Sequence, residues 1–291
     1  MSLLVKEILQ IAERRLQDSH CMDPKLDAEM LFCYMLSIDK TQLFLRRSKL
    51  LDERSCEEYF NLIDLRAGGK PVQYITGQQE FMGITFKVNE NVLIPRQDTE
   101  TLVEEVIKDI KESDKIKKHN DILDLCCGSG AIGISLSRFF ANSKIVATDI
   151  SEEALNVARE NGKNMRVSKK VKFIQSDLFD NIKSGVFGQK FNIIISNPPY
   201  IATHLIPILQ REIKEHEPII ALDGGDDGLK FYKRIIEHAP DYLKKEGKLY
   251  LEIGHDQGAN ILQLISDGGK LKDACIIKDL SGLDRVIKCH I

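Results

Sequence analysis

The sequence lacks a long apolar run and an excess of positive charge. No apolar stretch approaches the length that spans a membrane. The 291 residues include 41 Lys and Arg against 44 Asp and Glu, which gives a formal net charge of −3. Proteins whose main partner is nucleic acid usually present a strongly basic face. We therefore expect neither a membrane partner nor a direct nucleic acid partner.

The cysteines lack the spacing of a metal site. The chain has 7 Cys, an odd number, and the adjacent Cys126 and Cys127 do not readily bridge each other. We predict reduced thiols, no metal ion and a cytoplasmic location. Lys6 and Glu7 introduce charge too early for a signal peptide.

The most informative stretch is residues 191–200. It begins as an unbroken apolar run rich in β-branched residues, which is typical of a strand buried on both faces. It ends at Asn-Pro-Pro-Tyr (residues 197–200), and two prolines cannot continue a central strand and hold the backbone stiff. The sequence therefore predicts a rigid polar corner at the carboxyl end of a buried strand, where open α/β sheets bind ligands.

This Asn-Pro-Pro-Tyr corner has the groups that would bind a planar NH2 group. The side-chain oxygen of Asn197 and the backbone oxygen of Pro198 are two acceptors at a fixed spacing, and Tyr200 adds an aromatic face. Acceptors on an amide raise the electron density of its nitrogen and aim it at an electrophile. Asn197, Pro198 and Tyr200 are thus the candidate catalytic residues. The alternative is a strand ended by a Pro-Pro loop and a packed tyrosine.

Three regions differ in their pattern. Residues 1–72 are predicted to form a helical domain that recognises a macromolecular partner, with helices alone from residue 3 to about 69; a helical cap that merely stabilises is the alternative. Residues 73–95 alternate as a β-hairpin linker. Residues 96–291 are the predicted catalytic domain, in which strands alternate with helices.

The catalytic domain is predicted to be α/β, with a parallel, doubly wound sheet. The predicted strands are 122–125, 144–149, 171–175, 191–196, 248–253, 275–278 and 285–290, and the helices between them lie near 131–140, 151–165, 229–243 and 257–266. Only a short loop separates the last two strands, so they should pair antiparallel. A mostly parallel sheet with an antiparallel C-terminal hairpin is unlike the usual NAD-binding arrangement.

A glycine loop follows the first of these strands. Gly128, Gly130 and Gly133 satisfy G-x-G-x-x-G, and such glycines let the backbone turn tightly and approach a ligand closely. Asp149 ends the second strand, where an acid accepts from ribose hydroxyls. A tight turn without a ligand and an N-cap role for Asp149 are the alternatives. Up to this point NAD and S-adenosylmethionine fit equally.

Two further aspartates are candidate cofactor-binding residues, and the first of them distinguishes the two cofactors. Asp124 ends a buried strand, where a carboxylate is costly unless it is paired, and it suits a cationic ligand such as a sulfonium with its α-amino group. This favours S-adenosylmethionine over NAD. Asp177 follows the third strand and can accept from an adenine amino group, with Leu178 and Phe179 as walls. A loop cap is the alternative role for Asp177.

With these residues in view, the chain resembles class I S-adenosylmethionine-dependent methyltransferases and, more closely, the release factor glutamine methyltransferase family. The matching segments are Ile94-Pro95-Arg96, Asp98-Thr99-Glu100, the glycine loop, the Asn-Pro-Pro-Tyr corner, Glu217-Pro218, and residues 221–225 and 227–229. The resemblance spans essentially the whole chain. It implies a Rossmann-like methyltransferase sheet preceded by a helical domain.

The resemblance also implies an activity: methyl transfer from S-adenosylmethionine, leaving S-adenosylhomocysteine, to the side-chain amide of the glutamine in the Gly-Gly-Gln motif of class I peptide chain release factors. The expected cofactor-binding residues are Asp124, Cys126, Cys127, Gly128, Ser129, Gly130, Asp149, Asp177, Leu178 and Asn197. The expected substrate-binding residues are Arg96, Asn197, Pro198, Pro199 and Tyr200. The partner is a class I release factor, and we expect a monomer.

The chain departs from the family at three places. Cys126-Cys127 stands where Gly-Thr is usual, so Cys126 must hold a backbone shape that glycine adopts more readily. Gln97 replaces the usual proline and loosens that turn. Leu178 stands where some members stack a tryptophan, and this chain has 0 Trp, so we expect weaker stacking on the cofactor.

Two other functions stay open at this point. An adenine-N6 methyltransferase acting on DNA or RNA uses the same corner, but the charge balance and the lack of a basic target-recognition domain oppose it. A binding module with an inactive methyltransferase fold is opposed by the intact corner. Arg96 and Glu100 are expected to shape the pocket, with a surface ion pair as the alternative. His204, His216 and Glu217 can help to close the site, although solvated loops are the simpler reading of both histidines.

Overall fold

The computed structural model describes residues 3–112, 120–140, 142–182 and 190–291. The chain divides into two compact units. The first comprises Met1–Gln78 and Leu209–His216, and the second comprises Gln79–Ile208 and Glu217–Ile291. The domain boundaries that the sequence predicts, at residues 72 and 95, stay a prediction.

The first unit is mostly helical. Its elements up to residue 76 are β1 (Leu3–Leu4), α1 (Val5–Asp18), α2 (Pro24–Leu36), α3 (Lys40–Arg46), β2 (Leu50–Leu51), α4 (Glu53–Ala67) and α5 (Val72–Thr76). The apolar stripes of α1, α2 and α4 form its core, in which Leu16, Phe32 and Ile63 are fully buried. Proline occupies the first position of α2, where its fixed φ suits a helix start.

The expectation of helices alone is wrong for β1 and β2, which pair antiparallel. The first N–H groups of an α-helix have no partner within the helix. Those of Val5 and Lys6 donate to the carbonyl oxygens of Lys49 and Arg47, both at 3.0 Å. These bonds hold the segment before α4 beside the start of α1, and the short strand pair follows.

A hairpin lies within the predicted segment 73–95, but it is shorter than predicted, because residues 73–76 belong to helix α5. All of the hairpin except Gln78 belongs to the second unit. The elements from residue 78 to 196 are β3 (Gln78–Phe81), β4 (Ile84–Lys87), α6 (Asp98–Glu112), β5 (Asp121–Leu125), α7 (Ala131–Phe139), β6 (Lys144–Asp149), α8 (Glu152–Asn164), β7 (Val171–Gln175) and β8 (Phe191–Ser196). Helix α9 (Arg211–His216) belongs to the first unit. The second unit then continues with α10 (Lys230–Tyr242), β9 (Leu243–Glu252), α11 (Gly258–Gly268), β10 (Lys272–Lys278) and β11 (Asp284–His290). No helix within the described ranges is both long enough and apolar enough to cross a membrane.

Within the described ranges, the strands from β5 onward form a seven-stranded sheet in the order β10-β11-β9-β8-β5-β6-β7. The pairs among β5 to β9 are parallel, and β11 runs antiparallel to both β9 and β10. The predicted fold class is therefore confirmed. Strand β9 begins at Leu243, before the predicted start at Lys248, because Leu243 already pairs with Phe191.

Strand β8 is buried on both faces, as its unbroken apolar run predicts. Ile193 and Ile195 pack into the core shared with α6, α7 and α8, whereas Ile194 packs into the core shared with α10 and α11. Because β5, β6, β7 and β8 are parallel, their carboxyl ends meet at one edge of the sheet. The fold thus gathers the glycine loop, Asp149 and the Asn-Pro-Pro-Tyr corner at that edge.

A buried polar cluster ties α6 to β9 and β11. The Asp109 carboxylate accepts hydrogen bonds from Tyr250, from Lys248 at 2.7 Å and from Lys288 at 3.0 Å. Burial alone would raise the pKa of Asp109, but these three donors hold it below its usual value. The carboxylate therefore stabilises the fold as a charged group.

We predict that Asp109→Asn lowers the free energy of unfolding by about 3 kcal/mol, because it removes the carboxylate that pairs with half-buried Lys248 and one of the two that pair with half-buried Lys288. Urea unfolding followed by circular dichroism measures the change. The control, Glu104→Gln, is an exposed substitution on the same helix and should stay within about 0.5 kcal/mol of the original protein. A loss for Asp109→Asn as small as that of the control would contradict the role of the cluster.

Candidate active site

The loops at the carboxyl ends of β5 to β8 surround a cavity of about 220 Å³. The predicted site residues that line it are Cys126, Gly128, Asp149, Asp177, Leu178, Asn197 and Pro199. The glycine loop, the ends of the second and third strands and the corner therefore share one space. The topology of a parallel sheet explains why residues so far apart in sequence meet there.

Asp149 organises the glycine loop. Its Oδ2 accepts from the N–H of Gly128 at 2.8 Å, and its Oδ1 accepts from the N–H of Ser151 at 3.0 Å. Burial raises the pKa of Asp149, and the backbone donors oppose that rise. The N-cap itself is Ser151, whose side chain accepts from Ala154. Asp149 thus holds both the loop and the helix start while it lines the cavity.

Cys126 adopts the backbone shape that its departure from the family requires. Its φ is +59°, in the left-handed region that favours glycine. Leu178, the other departure that lines the cavity, has φ +48°. Burial raises the pKa of the Cys126 and Cys127 thiols, so neither is poised to act as a thiolate nucleophile.

Three predicted cofactor residues support the loop without lining the cavity. Cys127 donates its N–H to Thr148 at 2.9 Å, and the carbonyl oxygen of Ser129 accepts from Asn161 at 3.0 Å. Gly130 has φ +79° and precedes α7. Their positions fix the course of the backbone around the cavity.

Asp124 is fully buried at the end of β5. Its Oδ2 accepts from the N–H of Gly133 at 2.9 Å, whereas its Oδ1 has no hydrogen-bond partner among the described residues. Burial raises the pKa of Asp124 to about 8. Burying this carboxyl group with one oxygen unpartnered costs free energy of folding. The group lies beside the glycine loop, but it does not line the cavity.

The side-chain amide of Asn197 has a defined direction in the corner. The Nδ2 of Asn197 donates to the hydroxyl oxygen of Thr99 at 3.2 Å, so its Oδ1 is the atom left to accept from a ligand. Asn197 is half-buried, and the prolines that follow it are buried. Pro199 lines the cavity and Pro198 does not. The rigid polar corner is thus present where the sequence predicts it.

A glycine-rich segment backs the corner. A Cβ atom on Gly224 would lie 2.8 Å from the backbone of Tyr200, and one on Gly228 would lie 2.5 Å from its carbonyl oxygen. Gln257 donates to that same oxygen at 3.0 Å. The sequence matched residues 221–225 and 227–229 to the family without a role, and close approach to the corner is that role.

Tyr200 directs its hydroxyl group into the protein. The hydroxyl donates to Oε1 of Glu252 at 3.5 Å, and Tyr200 does not line the cavity. Glu252 is 2% exposed at the end of β9, and burial raises its pKa to about 7. Nothing in the local sequence around Glu252 marked it as part of the site.

The remaining predicted residues make ion pairs or backbone contacts. Arg96 pairs with Glu217, whose side chain is buried. Glu100 accepts from the N–H of Met82 in the turn of the β3–β4 hairpin. Neither Arg96 nor Glu100 lines the cavity. His204 is exposed, and His216 ends α9 in the first unit.

Asp177 lines the cavity but already has a partner. Its Oδ1 accepts from Arg234 of α10 at 2.8 Å. Lys230 and Phe231 of the same helix also line the cavity, as does Asn91. These residues were not predicted from the sequence. The signal for Lys230 and Phe231 was their position directly after the segment 227–229, and this signal does not extend to Asn91 or Arg234.

We predict that Asp124→Asn becomes progressively more stable relative to the original protein as the pH rises from 3.8 to about 8, and that the difference stays constant above about 8. The native state holds the Asp124 proton more tightly than the unfolded chain does, so this residue favours folding at acid pH, and the contribution is lost as the pH rises from 3.8 to about 8. Asparagine keeps an acceptor for Gly133 and carries no charge.

The measurement is the free energy of unfolding of both proteins across that pH range. Asp180→Asn, at an exposed position, is the control and should show a constant difference. If the difference in free energy of unfolding between Asp124→Asn and the original protein also stayed constant with pH, burial would not raise the pKa of Asp124.

Comparison with known proteins identifies the family. Residues 7–77 match the model described as the PrmC N-terminal domain, and residues 98–224 match the methyltransferase small domain. The release factor glutamine methyltransferase of Clostridium botulinum is 38% identical over 289 residues, which cover 99% of each chain. That of Thermodesulfovibrio yellowstonii is 40% identical over 263 residues and 90% of each chain.

A solved structure shows the same fold at greater distance. The hMettl16 catalytic domain has a TM-score of 0.56 and 14% identity, over 88% of this chain and 91% of that chain. The near full-length matches to curated relatives confirm the resemblance that the motifs indicated. The chain belongs to the release factor glutamine methyltransferase family.

Proposed function

We propose that this protein transfers a methyl group from S-adenosylmethionine to the side-chain amide nitrogen of the glutamine in the Gly-Gly-Gln motif of class I peptide chain release factors. The orientation of Asn197 carries the proposal. Its Nδ2 is held by Thr99, and its Oδ1 is left as an acceptor beside the cavity. The names of the curated relatives support the same substrate.

The residues that line the cavity support S-adenosylmethionine as the cofactor. Asp149 offers lone pairs that can accept from ribose hydroxyls, in addition to those that bind the backbone. Asp124 lies behind the glycine loop and off the cavity wall, so a direct contact of its carboxyl group with a cationic ligand stays a prediction. Leu178 and Phe231 supply apolar wall. Asp177 must share its carboxylate with Arg234 if it also accepts from adenine.

The Asn-Pro-Pro-Tyr corner binds and orients the substrate amide. S-adenosylmethionine, when bound, supplies a methyl group on a sulfonium centre and leaves as S-adenosylhomocysteine. Asn197 Oδ1 and the Pro198 carbonyl oxygen accept the two N–H groups of the glutamine amide, which raises the electron density on its nitrogen and fixes its direction. Tyr200 packs against the amide plane. No strong base is needed, because the proton becomes acidic once the nitrogen has reacted.

The helical first unit is the candidate for recognition of the release factor, since its residues match the PrmC N-terminal domain. We keep the domain boundaries 1–72, 73–95 and 96–291 and the monomeric state as part of this proposal. Transfer to an isolated Gly-Gly-Gln peptide should accordingly be slower than transfer to the whole release factor.

We predict that Asn197→Ala abolishes methyl transfer and retains cofactor binding, because it removes one of the two acceptors that hold the amide. The assay uses labelled S-adenosylmethionine with a purified class I release factor and maps the modified residue by mass spectrometry. Asn164→Ala, at an exposed position near the end of α8, is the matched control. Full turnover by Asn197→Ala, or transfer to adenine-containing oligonucleotides instead of the release factor, would refute the proposal.

We predict that Asp149→Ala weakens S-adenosylmethionine binding about 10- to 100-fold, which corresponds to the loss of charge-assisted hydrogen bonds worth about 1.5–3 kcal/mol. Calorimetric titration measures the dissociation constant. Glu153→Ala, on the exposed face of the adjacent helix, should bind as the original protein does. Unchanged affinity in Asp149→Ala would place the cofactor elsewhere.

A further inference from the structure

We propose that Thr99, itself held by Glu252, is a positioning residue that fixes which face of the Asn197 amide meets the substrate. The inference deepens the proposed function and rests on it. Thr99 does not line the cavity. It acts through Asn197, and Glu252 acts through Thr99.

The direction of the Asn197 amide decides whether the corner can work. The oxygen and the NH2 group of an asparagine side chain are nearly identical in size, so packing alone distinguishes them poorly. A glutamine amide in the site offers N–H donors and needs acceptors. If Asn197 were turned over, its NH2 would face the substrate NH2, and the hydrogen bond would be lost.

A single proton sets that direction. Thr99 is 5% exposed in the first turn of α6, and its hydroxyl group lies close enough to the Glu252 carboxylate to lower the pKa of that group. An ionised carboxylate can only accept, so the hydroxyl proton must point at Glu252. The hydroxyl oxygen can then only accept from Asn197, which must present Nδ2, as observed at 3.2 Å.

The surroundings of Glu252 keep the carboxylate in place. Its Oε1 accepts from Tyr200 at 3.5 Å, and its backbone oxygen accepts from Tyr232 at 2.8 Å. The Arg285 guanidinium favours the charged form, while Asp98, which pairs with Arg285 at 3.1 Å, disfavours it. Tyr200 therefore belongs to the same network as Thr99, and both ends of the corner are tied to one carboxylate.

Stability alone does not account for this carboxylate. Glu252 is fully buried, and its Oε2 has no hydrogen-bond partner among the described residues. Burial raises the pKa of the group to about 7, so its charged form opposes folding. A neutral side chain of the same shape would cost less at this position. A role in orienting Asn197 explains why a group that only accepts once it is ionised is present.

The test compares three variants of the full chain in the release factor assay. Thr99→Val keeps the shape and removes the hydroxyl, so we expect kcat to fall about 10- to 100-fold while the KM for S-adenosylmethionine stays within a few-fold. Thr99→Ser restores the hydroxyl and should restore most of kcat. Thr101→Val makes the same change two residues along the same helix, at a half-buried position, and should leave kcat unchanged.

Glu252→Gln provides an independent arm. Glutamine can donate to Thr99, which frees the hydroxyl proton to turn towards Asn197 and reverses the amide. We expect a lower kcat from a protein that is at least as stable as the original above about pH 7. In the original protein kcat should rise as the pH passes through about 7, where Glu252 ionises, and in Glu252→Gln this rise should be absent.

The outcomes separate the two proposals. A kcat for Thr99→Val equal to that of Thr101→Val, with active original protein, would overturn the inference and leave the proposed function standing. A fall in kcat that Thr99→Ser does not restore would also overturn it, since the hydroxyl would not be the cause. An original protein that binds S-adenosylmethionine but methylates no class I release factor would remove the proposed function and this inference with it.

Discussion

The hydrogen bond between Thr99 and Asn197 is the interaction on which the rest of the site depends. It turns a side chain with two similar ends into an acceptor with a defined direction. The surrounding architecture serves to keep that direction. Strand β8 ends in two prolines that hold the backbone stiff, and Gly224 and Gly228 allow a second segment to approach the corner closely from behind.

Two buried carboxyl groups oppose the stability of the fold when they are charged. Asp124 and Glu252 are both fully buried, and burial raises the pKa of Asp124 to about 8 and that of Glu252 to about 7. Each also has one oxygen without a hydrogen-bond partner in the described part of the chain. Asp109 differs from both, because three hydrogen-bond donors surround its buried carboxylate and lower its pKa. The contrast separates a carboxylate that stabilises the fold as a charged group from two whose charged forms oppose folding.

The sequence was a good guide where the signal is local. Strands β6, β7 and β8 begin and end where the apolar runs predict, because a parallel strand buried on both faces has a continuous apolar sequence. The corner and the glycine loop were found for the same reason, as each is a short motif. Cys126 was recognised as the place where a non-glycine residue must adopt a positive φ.

The sequence was a poor guide where the partner is distant. Thr99 lies 98 residues from Asn197, and Glu252 lies 52 residues from Tyr200, so only the sheet order brings them together. Asp177 was assigned to a ligand, but 57 residues later Arg234 supplies a protein partner. Residues 243–247 were left out of β9 because they are mostly polar, although the strand already pairs there.

The most direct test of the account is a crystal structure of the protein with S-adenosylhomocysteine and a Gly-Gly-Gln peptide, at a resolution that distinguishes amide nitrogen from oxygen by their contacts. The account predicts the glutamine NH2 group within hydrogen-bond distance of Asn197 Oδ1 and the Pro198 carbonyl oxygen, with Asn197 Nδ2 on Thr99. A glutamine side chain bound away from the corner, or Asn197 with its NH2 group towards the peptide, would contradict it.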